Sequence, residues 1–160
     1  MTGFVSLPPN VDAQPPEARP PEVVANDGFW PDVDLVQLRD AVRLDTTIST
    51  DRLKDAVVNA MLELARTFAD WRSLTSAANL EAVPARTEIG GVSDYVIHYT
   101  RALYSLVGAD LGERLLGQSA TAAGVDRRDE LSAEVDQHRR NARWAQNDFL
   151  GLGRATVELL

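Results

Sequence analysis

The stretch STDRLKDAVVNAMLELARTFADW, residues 49–71, decides the fold class. Its large apolar residues Leu53, Val57, Met61, Leu64, Phe68 and Trp71 follow one another at steps of four, four, three, four and three. That spacing keeps them on one side of an α-helix. Ser49 or Thr50 supplies the side-chain oxygen that such a helix needs at its start. Taken as one uninterrupted helix at 1.5 Å per residue, the stretch would be about 35 Å long. A stripe of that length must be buried against other elements.

Working outward, three more segments carry the same period. Before it, Asp34 is a plausible N-cap for a short helix from about Val36 to Leu44, with Leu35, Leu38 and Val42 in line. After it, Ser93 caps a third helix with stripe Val96, Tyr99, Leu103, Leu106 and Leu111, and Gly117 is a good stop. The fourth runs from about Arg127 to Leu150, where Leu131, Val135, His138, Ala142, Ala145 and Phe149 step by four and three, and Gly151 and Gly153 end it. Residues 73–92, with Pro84 and Gly90-Gly91, read as a loop with local turns. Strand signals are nearly absent, the best being Thr156 to Leu160. The expectation is an all-α bundle of about four helices.

The ends differ from this middle. Seven of the eight prolines lie in residues 1–31, and each fixes its backbone and removes a donor. Residues 1–26 therefore read as an extended arm, either without a role or ordering on a partner, residues 27–153 as the helical domain, and residues 154–160 as a short extended tail. Phe29 and Trp30, between an Asp-Gly turn and Pro31, form an apolar plug for the domain's edge or an anchor on a neighbouring subunit.

Composition narrows the chemistry. A chain of 160 residues with 44% hydrophobic and 25% charged residues fits one globular domain. A net charge of -8 gives no overall basic balance with which to grip phosphates. The chain has no cysteine, which excludes disulfides and thiolate metal sites. No apolar run approaches a membrane span, and the N-terminus lacks the basic start of a signal peptide.

Enzyme motifs do not appear: Gly90-Gly91 is followed by no Walker lysine, and there is no nucleophile elbow and no zinc helix. Asp94 and His98 stand four apart, as two metal ligands or as a helix-start acid beside an ordinary histidine. His138 falls on an apolar stripe, as core histidines do, and Asp110 and Glu113 share a face without converging partners. No catalytic residue, cofactor or metal site is assigned. The charge run of residues 126–143 has its acids early and most of its arginines late, matching the helix dipole. Its Arg139, Arg140 and Arg143 form either a solvated face or a contact between subunits, and Trp144, beside the stripe, either caps the core or contacts another chain.

Specific motifs go further than periodicity. Asp27-Gly28-Phe29-Trp30-Pro31, Arg43-Leu44-Asp45, Trp71-Arg72, Asp126-Arg127-Arg128, Ala142-Arg143-Trp144-Ala145 and the closing Arg154-Ala155-Thr156-Val157-Glu158-Leu159-Leu160 occur in order. In them the chain resembles the head completion, or head stabilisation, proteins of temperate contractile-tailed phages, from roughly residue 26 to residue 160. The resemblance implies a structural connector, not an enzyme. Such a protein joins the portal vertex after DNA packaging, stabilises the filled head and offers a docking surface to neck and tail proteins. It also implies a ring of copies, commonly dodecameric, at the head–tail junction of the virion, assembled in the host cytoplasm, with packaged DNA passing through the channel without specific binding. Arg154, Thr156, Val157, Glu158, Leu159 and Leu160 are the expected portal-binding residues, because an alternating strip can add to a sheet edge or lie in a groove; the other reading is that the tail folds back on its own bundle or frays. From other classes, a helical adaptor binding one partner without a ring, and a small metal hydrolase around His98, are the alternatives.

Overall fold

In the computed structural model, which describes residues 22–43, 48–118 and 125–153, the chain folds as a bundle of helices with two minimal strand pairs. Strand β1, Val23–Val24, pairs antiparallel with β2, Val33–Asp34, Val24 opposite Val33. Asp34 then starts α1, Leu35–Val42, its carboxylate accepting from the backbone N–H of Val36 and Gln37. Arg43 ends this helix in the left-handed region, at φ 53°. Ser49 caps α2, Thr50–Thr67, by accepting from the Arg52 N–H.

The expected single 35 Å helix is interrupted. Phe68 leaves helical geometry (φ -101°, ψ 11°), and a short α3, Ala69–Ser73, follows. The offset lets Phe68 and Trp71 turn into the core without sharing one straight face with Leu53. The predicted loop 73–92 is also more ordered than its sequence suggests. It holds a 3₁₀ turn at Leu80–Ala82 and a hairpin of β3, Glu88–Ile89, with β4, Val92–Ser93. Gly90 and Gly91 both have positive φ, 61° and 77°, the geometry that a two-residue hairpin turn requires. The longest elements close the chain: α4, Asp94–Gln118, running through the expected stop at Gly117, and α5, Val125–Leu150. Gly151, at φ 69°, ends α5.

The core is organised on Trp30. Its ring stacks on Tyr99 at 4.8 Å and meets Phe68, Trp71 and Phe149 at 5.7–6.1 Å. Phe29 stands edge-on to it at 4.9 Å. Phe29 and Trp30 are 5% and 4% exposed, so the plug closes its own domain. Of the two readings of this pair, burial fits the plug of the domain's edge and leaves almost no surface of either ring for a neighbouring subunit. The Asp27 carboxylate fixes the turn by accepting from both of their N–H groups. The folded part also begins earlier than residue 27. Val23 and Val24 are in the β1–β2 pair, the Glu22 carbonyl accepts from the Leu35 N–H, and the Asn26 amide donates to the Tyr99 hydroxyl at 3.0 Å. The expectations for residues 1–21 and 154–160 lie outside the described residues.

Helices α4 and α5 pack antiparallel and very closely. A β-carbon built on Gly108 would stand 2.8–2.9 Å from the imidazole of His138, and one on Gly112 would stand 2.6 Å from Val135. The predicted α5 stripe is the buried face: Val135, Ala142, Ala145 and Phe149 are buried, with His138 and Leu131 at its margin.

Candidate docking end of the bundle

One end of the bundle gathers the features that point outward. There α4 begins, α5 ends and the hairpin projects. Arg86 ties these elements together. Its Nε donates to Asp94 Oδ2 at 2.7 Å, its Nη2 donates to the Asp148 carbonyl in the last turn of α5, and its guanidinium lies over the Tyr95 ring at 4.5 Å. Asp94 also accepts from the backbone N–H groups of Arg86 and Thr87. Burial alone would raise the Asp94 carboxyl; the hydrogen bonds and charge of Arg86, with the backbone donors, outweigh it and hold the group below the usual carboxylate value. Asp94 is thus committed to closing the loop. Among the described residues no group of three or more histidines or acids stands together as a metal site.

Around this clamp stand three exposed large aliphatic residues. Leu74, just after α3, is 88% exposed, Ile89 at the hairpin 67%, and Leu152 beyond α5 55%. The three belong to the same end, because Trp71 of α3 packs on Phe149 at 4.7 Å and on Tyr95 at 5.2 Å. Isolated exposed leucines are ordinary, but three large ones at the tip where the chain leaves the domain make a surface suited to a partner. The chain leaves the described domain at Gly153, next to Leu152, so residues 154–160 start from this end.

The other predicted site residues sit on α5, away from the tip. Arg139 pairs within the chain, with Glu113 of α4 and, at 3.9 Å, with Asp136. Arg140 donates to the Gln137 side chain at 2.6 Å. Arg143 and Trp144 are exposed, Trp144 by 36%. The structure does not bring these four together with Phe29 and Trp30, which are interior. Of the weighed carboxylates, Asp110 pairs with Arg114, which also reaches Asp55 of α2, and Glu113 is held by Arg139. Leu74, Ile89 and Leu152 were not anticipated. Their one sequence signal is that each is a large aliphatic residue outside every helical stripe and close to a turn.

The chain matches the family described as phage head completion protein (GPL) over residues 24–160. The chain belongs to the phage head completion protein family. A relative from Escherichia phage P2, a head completion/stabilization protein, is 33% identical over 138 residues, covering 84% of this chain and 81% of the relative. No solved structure matches. Membership of this family gives the chain a structural role in completing phage heads and a place in the virion. Among the described residues, no helix is long and apolar enough to cross a membrane.

Proposed function

We propose that this head completion protein works by assembly at the portal vertex of a DNA-filled head. Copies form a ring, dodecameric to match the portal, that secures the packaged genome and offers neck and tail proteins their docking surface. Residues 154–160 are the portal-binding tail, and the N-terminal arm, which ends before the β1–β2 pair that starts at Val23, takes no part in it. The observation that carries this reading is the family match, which runs through the tail to residue 160. The exposed Leu74, Ile89 and Leu152 where the tail departs support it physically. An alternating strip supplies main-chain hydrogen bonds to a sheet edge, and a neighbouring apolar tip adds buried area.

A ring needs one lateral surface to meet a different one on the next copy. We place one of these surfaces on α5 at the exposed Arg143 and Trp144. The net charge of -8, repeated around a channel, disfavours adhesion of DNA passing through it. Assembly would take place in the host cytoplasm before the virion is released.

The test is a phage whose copy of this chain ends at residue 153. The expected result is heads that package DNA, then lose it and fail to join tails, with the truncated protein folded and absent from the vertex in electron micrographs. Stable, tailed particles carrying the truncated protein at the portal would refute tail docking. Particles that stay complete without any copy of the protein would refute the function as a whole.

A further inference from the structure

On α2, Leu53, Val57, Ala60 and Leu64 form the buried side, while Val58 and Leu62, one turn apart, are exposed. Glu63 beside them is exposed and enters no ion pair among the described residues. On α5, the run between Asp136 and Asp148 holds Arg139, Arg140 and Arg143 and no acid, and Trp144 in it is exposed. Arg139 is taken by Glu113 within the chain, whereas Arg143 enters no ion pair among the described residues. We infer, given the ring proposed for this protein, that its second lateral surface is this outer ridge of α2, which receives α5 of the next copy with Trp144 on Leu62 and Arg143 paired with Glu63.

The two surfaces lie on opposite sides of α4. Gly112 of α4 faces Val135 of α5. Arg114, two residues on and about 200° farther round the helix, reaches Asp55 of α2 at 2.9 Å. A head-to-tail ring needs such an arrangement, because each copy must offer different surfaces to its two neighbours. Charge favours the unlike pairing. Two α5 faces would bring arginines together, whereas α5 against α2 brings Arg143 to a carboxylate.

The two surfaces also stand at the same height. Arg114 near the end of α4 meets Asp55 near the start of α2, while Phe68 at the end of α2 and Tyr99 near the start of α4 both pack on Trp30. Helix α2 is therefore antiparallel to α4, as α5 is, and α2 and α5 run the same way. Phe68 stacks on Phe149 at 4.1 Å. Leu62 lies six residues before the first of these rings and Arg143 six before the second. Leu62 and Glu63 are thus level with Arg143 and Trp144. Rotation about an axis along the bundle carries a copy round without raising it, so level surfaces meet. Tryptophan and arginine are the side chains that most often anchor an interface, and the exposed pair Val58 and Leu62 gives the indole an apolar seat.

The chain contains no cysteine, so Leu62→Cys/Arg143→Cys puts one thiol on each surface. In purified phage particles carrying this variant, oxidation is expected to link copies into a ladder on a non-reducing denaturing gel, with the peptides around positions 62 and 143 joined. Neither single variant should give a ladder. Dimers from Leu62→Cys alone, or a bond closed within one chain, would overturn the contact. Counting copies per particle separates its failure from that of the ring: many copies without a ladder overturn the contact alone, and a single copy at the vertex overturns both. A second test needs no thiol. Glu63→Arg should lower the yield of infectious particles by about tenfold or more, and Glu63→Arg/Arg143→Glu should restore it. An unchanged yield in the first, or no recovery in the second, would overturn the ion pair.

Discussion

A β-carbon on Gly112 would stand 2.6 Å from Cγ2 of Val135, so these two residues touch across α4 and α5 with no room between them. Val135 is β-branched and 3% exposed, so it has few other rotamers to adopt. Gly108 and His138 repeat the contact one turn away. Glycine inside a helix is locally unfavourable, and here the close approach of the partner helix offsets that cost.

Gly112→Ala is therefore expected to destabilise the fold. Overpacking costs about 1–3 kcal/mol, which exceeds the roughly 1 kcal/mol of helix propensity gained. In a Val135→Ala background the same substitution should become neutral or stabilising. Urea unfolding of the four proteins checks both, and additive effects would mean that the two positions do not meet.

Trp30→Ala should cost about 3–5 kcal/mol, the usual price of emptying a buried aromatic site, because this ring packs against Phe29, Phe68, Trp71, Tyr99 and Phe149. Phe29→Ala should lose less, since Arg72 lies over the Phe29 ring at 3.8 Å and can follow it inward. Denaturant midpoints would order the two, and a Trp30→Ala protein as stable as the parent would contradict the core described above.

Removing Arg86 changes how the protein responds to acid. Because the folded state lowers the Asp94 pKa, the resulting stability is present above the ordinary carboxylate value of 3.8 and is lost as pH falls through the lower folded value. Arg86→Leu should raise that folded value, move the acid-unfolding midpoint to higher pH, and cost about 1–2 kcal/mol at neutral pH, a charged hydrogen bond discounted for the arginine's partial exposure. Circular dichroism against pH for both proteins is the measurement.

Tyr99 governs the opposite limb. Burial pushes its hydroxyl up to about 12, against 10.0 ordinarily, with the Asn26 hydrogen bond pulling the other way. A raised folded pKa means stability that is complete below pH 10.0 and declines as pH rises toward about 12. Tyr99→Phe should flatten this alkaline decline and cost about 0.5–1.5 kcal/mol at neutral pH for the lost hydrogen bond. An unchanged alkaline limb would place its origin elsewhere.

Leu74→Asp with Ile89→Asp should leave stability within about 0.5 kcal/mol, as for surface positions generally, yet abolish docking if the apolar tip meets a partner. Thermal unfolding paired with complementation of a phage lacking the protein separates the two effects. Full complementation would remove the tip from the interface.

The helical stripes were legible because each period reports one buried face, and the α5 stripe from Val135 to Phe149 is buried as its spacing requires. The caps at Asp34 and Ser49 were legible for a similarly local reason: a short polar side chain beside free N–H groups. Phe68 was not, since a step of four to it and three beyond it suits a continuous helix, and the offset there depends on aromatic packing with Trp30 and Phe149. Phe29 and Trp30 left two options open because an apolar pair next to a turn looks the same whether it faces inward or toward a neighbour. Arg86 was invisible as a clamp: its partners Asp94 and Asp148 lie 8 and 62 residues away. For the docking end, the sequence pointed to the tail but not to the surface it leaves from.

The two glycine contacts between α4 and α5 also have a mechanical consequence. Rods that interlock at two successive turns cannot slide past each other, so they bend together as a beam and resist flexing more than two separate helices would. With 25 residues in α4, that beam is a ruler of about 37 Å at 1.5 Å per residue, and whatever grips its two ends is held at that spacing.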